Sequence, residues 1–166
     1  MQNTEYFQMM AGYNRWMNEN LGAVCAEMPE ETRQRETGAP FCSISGILNH
    51  LLLADRVWLG RFTGQPFHAT SLDQELYGNF DELRLQRKAT DEAISNWISS
   101  LSDEALRKPL TFTPMSNPTP RTQLLWICVV HMFNHQTHHR GQITALIEQS
   151  GSDCGVTDLF VFSQTL

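Results

Sequence analysis

An all-α bundle is the fold this sequence predicts, and three observations predict it. Four stretches of twenty residues or more repeat apolar side chains every three or four positions, the period of a helix with one buried face. Two long connections, residues 63–79 and 102–121, hold glycines and prolines that interrupt that repeat. No internal repeat, low-complexity segment or sustained heptad occurs, so neither a solenoid nor a coiled coil is expected. A chain of 166 residues makes one domain with a sizeable core. Connections this long call for at least one crossover along the bundle.

The first helix is expected over residues 4–28, with Thr4 as its cap and Phe7, Met10, Tyr13, Met17, Leu21 and Val24 as its inner face. Pro29 and the charged run Glu30 to Glu36 close it, and residues 37–40 form a turn. Ser43 caps a second helix that runs to about Phe62. Ile44, Ile47, Leu51, Ala54, Trp58 and Phe62 form its stripe, widened by Leu48, Leu52, Leu53, Val57 and Leu59. A helix apolar on so many sides is buried by the bundle or by a second subunit. Residues 63–79 then read as a loop, long enough to cross the bundle or to cover a pocket. The third helix spans Asp81 to Leu101. Leu110 to Thr113 form a short strand of a small hairpin, and the fourth helix runs from Thr122 to Gln149, stopped by Gly151. Asp158 to Phe162 make one last helical turn.

Hydrophobic residues at 41% and charged residues at 18% belong to a globular chain. Twelve basic residues against eighteen acidic ones give a net charge of −6 with no basic run, which argues against nucleic-acid binding. Glu5, Arg15, Glu19 and Glu27 interrupt every apolar window of the first thirty residues, so neither a signal peptide nor a membrane span is expected. Cys25, Cys42, Cys128 and Cys154 form no C-x-x-C pair and no disulfide framework. Free thiols in a reducing cytoplasm are the expectation.

The chemistry is concentrated in the fourth helix. His131, His135, His138 and His139 fall within nine residues. At about 100° per residue, His135 and His139 sit one turn apart and about 40° apart around the axis, with His131 a further turn back. Cys128, Met132, Ile143 and Leu146 share that sector, so the imidazoles point inward, where each ring nitrogen needs a partner. A divalent metal satisfies several converging imidazoles at once, and a third ligand must come from another helix. His50, inside the apolar stripe of the second helix, is the economical choice. The metal set is therefore His50, His135 and His139, three neutral donors that leave a coordination position open, as in catalytic sites. His131 can replace a ligand or support one from behind. His138, about 60° to the side, is a pocket-edge residue. Both are candidate proton acceptors. Three histidines hydrogen-bonded inside a core, with no metal, remain the plain alternative.

Gln136 stands where the zincin helix motif has its glutamate base, so peptidase chemistry is disfavoured. No Ser-His-Asp or Cys-His relay is readable. Cys128 reads as a buried structural thiol. Asp55 is either a carboxylate that fixes the tautomer of a metal-bound imidazole or one half of a salt bridge with an arginine such as Arg56 or Arg140.

At Asn49-His50, at Ala54-Asp55-Arg56-Val57-Trp58-Leu59 and at Asn134-His135-Gln136-Thr137-His138-His139-Arg140-Gly141-Gln142, the sequence resembles the DinB family of DinB/YfiT-like metalloenzymes. Thr157-Asp158-Leu159 adds a weaker match, and the likeness runs over essentially the whole chain. The resemblance implies a four-helix bundle of up-down-down-up connectivity, a homodimer built on helix faces, and a divalent zinc or nickel ion. That ion would be held by one histidine of the second helix and two of the fourth, at His50, His135 and His139. It further implies a small-molecule substrate and a low-molecular-weight thiol activated at the metal, as in S-transferases acting on electrophiles in stress or detoxification. A metal-dependent hydrolase and a non-catalytic metal-binding stress protein are the alternatives carried forward.

Overall fold

The computed structural model describes residues 3–38, 40–115 and 117–166, so Ala39 of the expected turn lies outside the described residues. In chain order the elements are α1 (Asn3–Glu27), α2 (Glu30–Gln34), α3 (Ile44–Thr63) and α4 (Phe80–Ser99). These are followed by α5 (Asp103–Leu106), β1 (Pro109–Phe112), β2 (Arg121–Leu124), α6 (Leu125–Gln149) and α7 (Leu159–Ser163). The four long helices are the predicted bundle. Helix α1 packs on α4 and α6, and α3 packs on α6 and α4. The first two long helices are therefore diagonal to one another, and the chain crosses between them through α2.

Local chemistry sets most boundaries. The Ser43 hydroxyl accepts a hydrogen bond from the Gly46 N–H at 3.1 Å, capping α3 as expected. Gly64, left-handed at φ 70°, ends it. Asn79 caps α4 through the Glu82 N–H at 2.9 Å. Gly151, at φ 87°, follows the end of α6.

Three expectations are corrected. Helix α1 already includes Asn3, so Thr4 lies inside it and is not its cap. The charged run after Pro29 is itself a helical turn, α2. Residues 122–124, assigned from the sequence to the start of the last helix, instead join Arg121 in a strand that pairs antiparallel with β1, Phe112 opposite Arg121 and Leu110 opposite Gln123. Pro114, Pro118 and Pro120 keep the residues between these strands out of any helix.

The core has two apolar clusters. One joins Met17, Leu21 and Cys25 of α1 to Ile47 and Leu51 of α3 and to Ile143 and Ile147 of α6. The other joins Phe7 and Ala11 of α1 to Ile94 and Ile98 of α4 and to Val129, Met132 and Phe133 of α6. Along α1 and α6 the two clusters are separated by the buried polar residues Asn14, Gln136 and Arg140. Arg87 of α4 bridges this layer, with Nη2 at 2.8 Å from Asp55 and 2.7 Å from Asp91. Asp91 also accepts hydrogen bonds from Asn14 and Asn18. Arg140 donates to Asn14 and lies over the Tyr13 ring. Two buried carboxylates thus face two buried guanidinium groups, and the layer is neutral as a whole.

The apolar breadth of α3 is met inside the chain. Leu52 and Leu53 are fully buried, and Trp58 and Phe62 pack with Trp97 beside the second cluster. Among the described residues no helix is long and apolar enough to cross a membrane.

Candidate metal centre

Helix α6 supplies two imidazoles because His135 and His139 are one turn apart, and α3 supplies the third. The rings of His135 and His139 lie 4.4 Å apart between centroids, and that of His50 lies 5.1 Å and 4.7 Å from them. One ring nitrogen from each of the three falls within 4.8 Å of the other two. Two nitrogens bound to a tetrahedral zinc at about 2.0–2.1 Å would stand about 3.3–3.4 Å apart. The Nε2 atoms of His50 and His135 stand 3.2 Å apart. The spacing therefore fits a shared cation.

The far sides of the rings fix their tautomers. His50 Nδ1 lies 2.7 Å from the carbonyl oxygen of Leu72, which only accepts, so Nδ1 carries the proton and Nε2 presents a lone pair. His139 Nδ1 lies 2.7 Å from Gln142 Oε1, which leaves its Nε2 free in the same way. The Gln142 amide nitrogen in turn lies 3.4 Å from His138 Nε2.

Asn49, the neighbour of His50, seats the loop that delivers Leu72. Its side-chain oxygen accepts from the N–H groups of Leu76 and Tyr77 at 2.9 and 3.0 Å, and its amide donates to the Tyr77 carbonyl.

The Phe41 ring stacks on His50 at 3.7 Å between centroids and meets His139 edge-on. A tight turn places it there, with Phe41 and Cys42 both left-handed at φ 63° and 66°. A Cβ on Gly46 would come within 1.9 Å of the Phe41 carbonyl oxygen, so only glycine lets that turn sit on α3.

The electrostatics favour neutral imidazoles. Burial lowers the pKa of His50, His135 and His139. For His135 burial, joined by the neighbouring histidines, brings it down to about 3. At neutral pH all three are in the form that ligates a metal.

The centre opens onto a cavity of about 410 Å³ between α3, α6 and the hairpin. Val57 and Trp58 line its middle, and Arg61, Phe112 and Arg121 its far end.

The other candidates sit elsewhere. His131 is exposed rather than inward-facing and stands on the wall of this cavity, its ring 5.2 Å from Trp58 and 6.0 Å from His135. The reason is the true axis of the buried stripe on α6. It runs through Val129, Met132, Gln136, His139 and Ile143 and is turned away from His131. His138 is exposed and faces Gln142. Asp55 pairs with Arg87, and it is Leu72 and Gln142 that orient the imidazoles. Arg56 ties α3 to Gln86 of α4 and to Tyr77 of the loop. Cys128 borders the cavity, and burial pushes its thiol up.

Phe41, Leu72 and Gln142 did not emerge from the sequence. The spacing of three from His139 could have pointed to Gln142. Nothing local marks a backbone carbonyl twenty-two residues from its histidine.

The DinB family model matches residues 1–165 of the chain. Protein DinB of Bacillus subtilis (strain 168) is 30% identical, over 90% of this chain and 90% of that protein. The crystal structure of a DinB-like protein from Bacillus cereus ATCC 10987 superposes with a TM-score of 0.61 at 23% identity, covering 81% of this chain and 86% of that one, a likeness of fold.

Proposed function

The chain belongs to the DinB family, and from that membership we propose that it is a divalent-metal-dependent enzyme joining a low-molecular-weight thiol to small electrophiles in stress or detoxification. The observation that carries this reading is the set of three neutral imidazoles, two of which, His50 and His135, line a cavity large enough for a small molecule. Zinc or nickel is the proposed ion, since imidazole suits both. A bound divalent cation supplies Lewis acidity, which lowers the pKa of a thiol or water at its open position towards neutrality.

The chain's own residues hold and shield that position. Leu72 and Gln142 keep the donor nitrogens of His50 and His139 unprotonated and aimed. Phe41 covers the outer face of His50 against water. Trp58 and Phe112, 5.0 Å apart and edge-to-face, give the electrophile an apolar wall. Cys128 is a poor nucleophile with its thiol held in the protonated form, so an attacking sulfur has to arrive with a cosubstrate. His131, exposed on the cavity wall and with its pKa lowered where its ring turns to that wall and by the Arg61 charge, is the neutral imidazole that takes up a proton. A homodimer is part of the same proposal.

The test uses untagged protein loaded with zinc or nickel, monochlorobimane as the electrophile, and bacillithiol, mycothiol, glutathione and coenzyme A as thiols. Conjugation that requires the metal and is lost in His135→Ala is expected. Absence of metal-dependent conjugation with every thiol tried overturns the proposal. Thiol-independent cleavage of p-nitrophenyl acetate would identify a hydrolase instead. A tightly held ion without any turnover would identify a metal-binding protein.

A further inference from the structure

The cavity beside the three histidines is electrically lopsided. Arg61 and Arg121 line its far end, and among the described residues no aspartate or glutamate lines it at all. Arg61 makes no ion pair among the described residues. Its guanidinium lies over the rings of Trp58 and Phe112, at 4.6 and 4.9 Å, and gives one hydrogen bond, from Nη2 to the Thr113 carbonyl at 3.0 Å. A guanidinium has five N–H donors, so most of this one's donors are not used by protein acceptors. Burial pulls Arg61 below its ordinary pKa, as expected of a cation short of partners.

The hairpin brings the second cation to the same place. Arg121 is directly opposite Phe112 in the antiparallel register, so both side chains leave the same face of the two strands, and both line the cavity. Arg61 comes eleven residues after His50 on α3, about 16 Å along the helix axis. Both side chains lean back towards the helix N-terminus, the longer arginine further than the histidine, so the guanidinium stands roughly 10–15 Å from the histidines.

We propose that Arg61 is the anchor for a carboxylate on the ligand of this cavity: a small anionic molecule, flat and apolar in its middle, whose acid group pairs with Arg61 while its other end reaches the three histidines. The proposal rests on the reading of this cavity as the substrate site. It narrows the substrate class to one that carries a carboxylate roughly 10–15 Å from the reacting atom. The planar fork of arginine matches two carboxylate oxygens, and the aromatic rings beneath it hold the fork in place. Arg121, at the exposed rim, draws the anion in and adds less to its retention.

The experiment measures binding and not turnover, so its failure is separate from failure of the thiol-transfer reading. The probes are 2-naphthylacetate and its neutral amide, 2-naphthylacetamide, which contain no thiol and no electrophile. They are titrated into the full chain by calorimetry, with zinc and after chelation. The acid is expected to bind at least about tenfold more tightly than the amide, the scale of one charge-assisted hydrogen-bonded pair. This preference should hold with and without zinc and fall as salt rises. Arg61→Gln should abolish it, and Arg61→Lys, which keeps the charge but not the fork, should retain part of it. Equal binding of acid and amide to the wild-type chain overturns the proposal without recourse to any variant. So does a preference that survives in Arg61→Gln, or one that appears only with zinc, since the carboxylate would then be bound to the ion.

Discussion

His50 and Leu72 are joined by a hydrogen bond of 2.7 Å between an imidazole Nδ1 and a backbone carbonyl. That contact decides which nitrogen of His50 is bare, because a carbonyl oxygen cannot donate. Together with the contact of His139 Nδ1 to Gln142 Oε1, it predicts that His50 and His139 are both the Nδ1–H tautomer. Two-bond proton–nitrogen correlation spectra of the zinc-loaded protein check this, and an Nε2–H signal from either residue contradicts it.

Gln142 gives a second prediction. Its side-chain oxygen holds His139 Nδ1, and it makes no contribution to the apolar clusters. Gln142→Ala should weaken zinc binding by about 10–100-fold while leaving unfolding in urea nearly unchanged. Competition against a chromophoric chelator measures the first quantity. An unaltered affinity would mean that His139 is aimed by packing alone.

Acid should act on the metal-free protein through the same histidines. Their folded pKa values lie below the ordinary value near 6.5, with His135 at about 3. Below pH 6.5 the unfolded chain binds protons that the folded one refuses, so stability rises with pH from about 3 to 6.5 and is fully present above that. Urea midpoints of chelator-treated protein should therefore fall steadily from pH 7 to pH 4.5. His135→Phe should flatten the fall.

The turn over His50 supplies the fourth prediction. With a methyl group directed 1.9 Å from the Phe41 carbonyl oxygen, Gly46→Ala forces the turn off α3. Overpacking of this kind costs about 1–3 kcal/mol. Urea denaturation gives the cost. Because the Phe41 ring moves with the turn, zinc affinity should drop in parallel.

Arg87 supplies the fifth. It is buried between Asp55 and Asp91, which together hold it protonated against the pull of burial. Arg87→Met leaves two buried carboxylates facing one remaining guanidinium, and should destabilise the fold by about 3–5 kcal/mol. Thermal unfolding at neutral pH measures it. A small loss would mean that Asp55 takes up a proton, towards which its burial already inclines it.

What the sequence made legible follows from the range of the forces involved. Apolar period and capping act over one turn of chain, so the four long helices and the Ser43 cap could be read directly. The encounter of His50 with His135 could be inferred because a buried imidazole demands a partner. The second strand of the expected hairpin has no local signal of its place, because Leu124 prolongs the apolar spacing of the last helix and only pairing with β1 reveals its state. The inward direction given to His131 was off by a fraction of a turn, since several apolar residues flank both sides of α6. Phe41 was invisible, for no local rule places a phenylalanine at a left-handed backbone position. Asp55 carried two readings, and only the position of Arg87 on a different helix separates them.

Asn49 and His50 are consecutive, and both grip the segment from Leu72 to Tyr77. His135 and His139, by contrast, ride on one uninterrupted rod. Two of the three nitrogens are thus fixed to each other by backbone geometry, while the bearing of the remaining one is borrowed from a strap that can be peeled away. Undocking that strap would free the His50 ring to swivel and leave a bidentate remnant, a way for the proposed ion to be loaded or surrendered without unfolding a long helix.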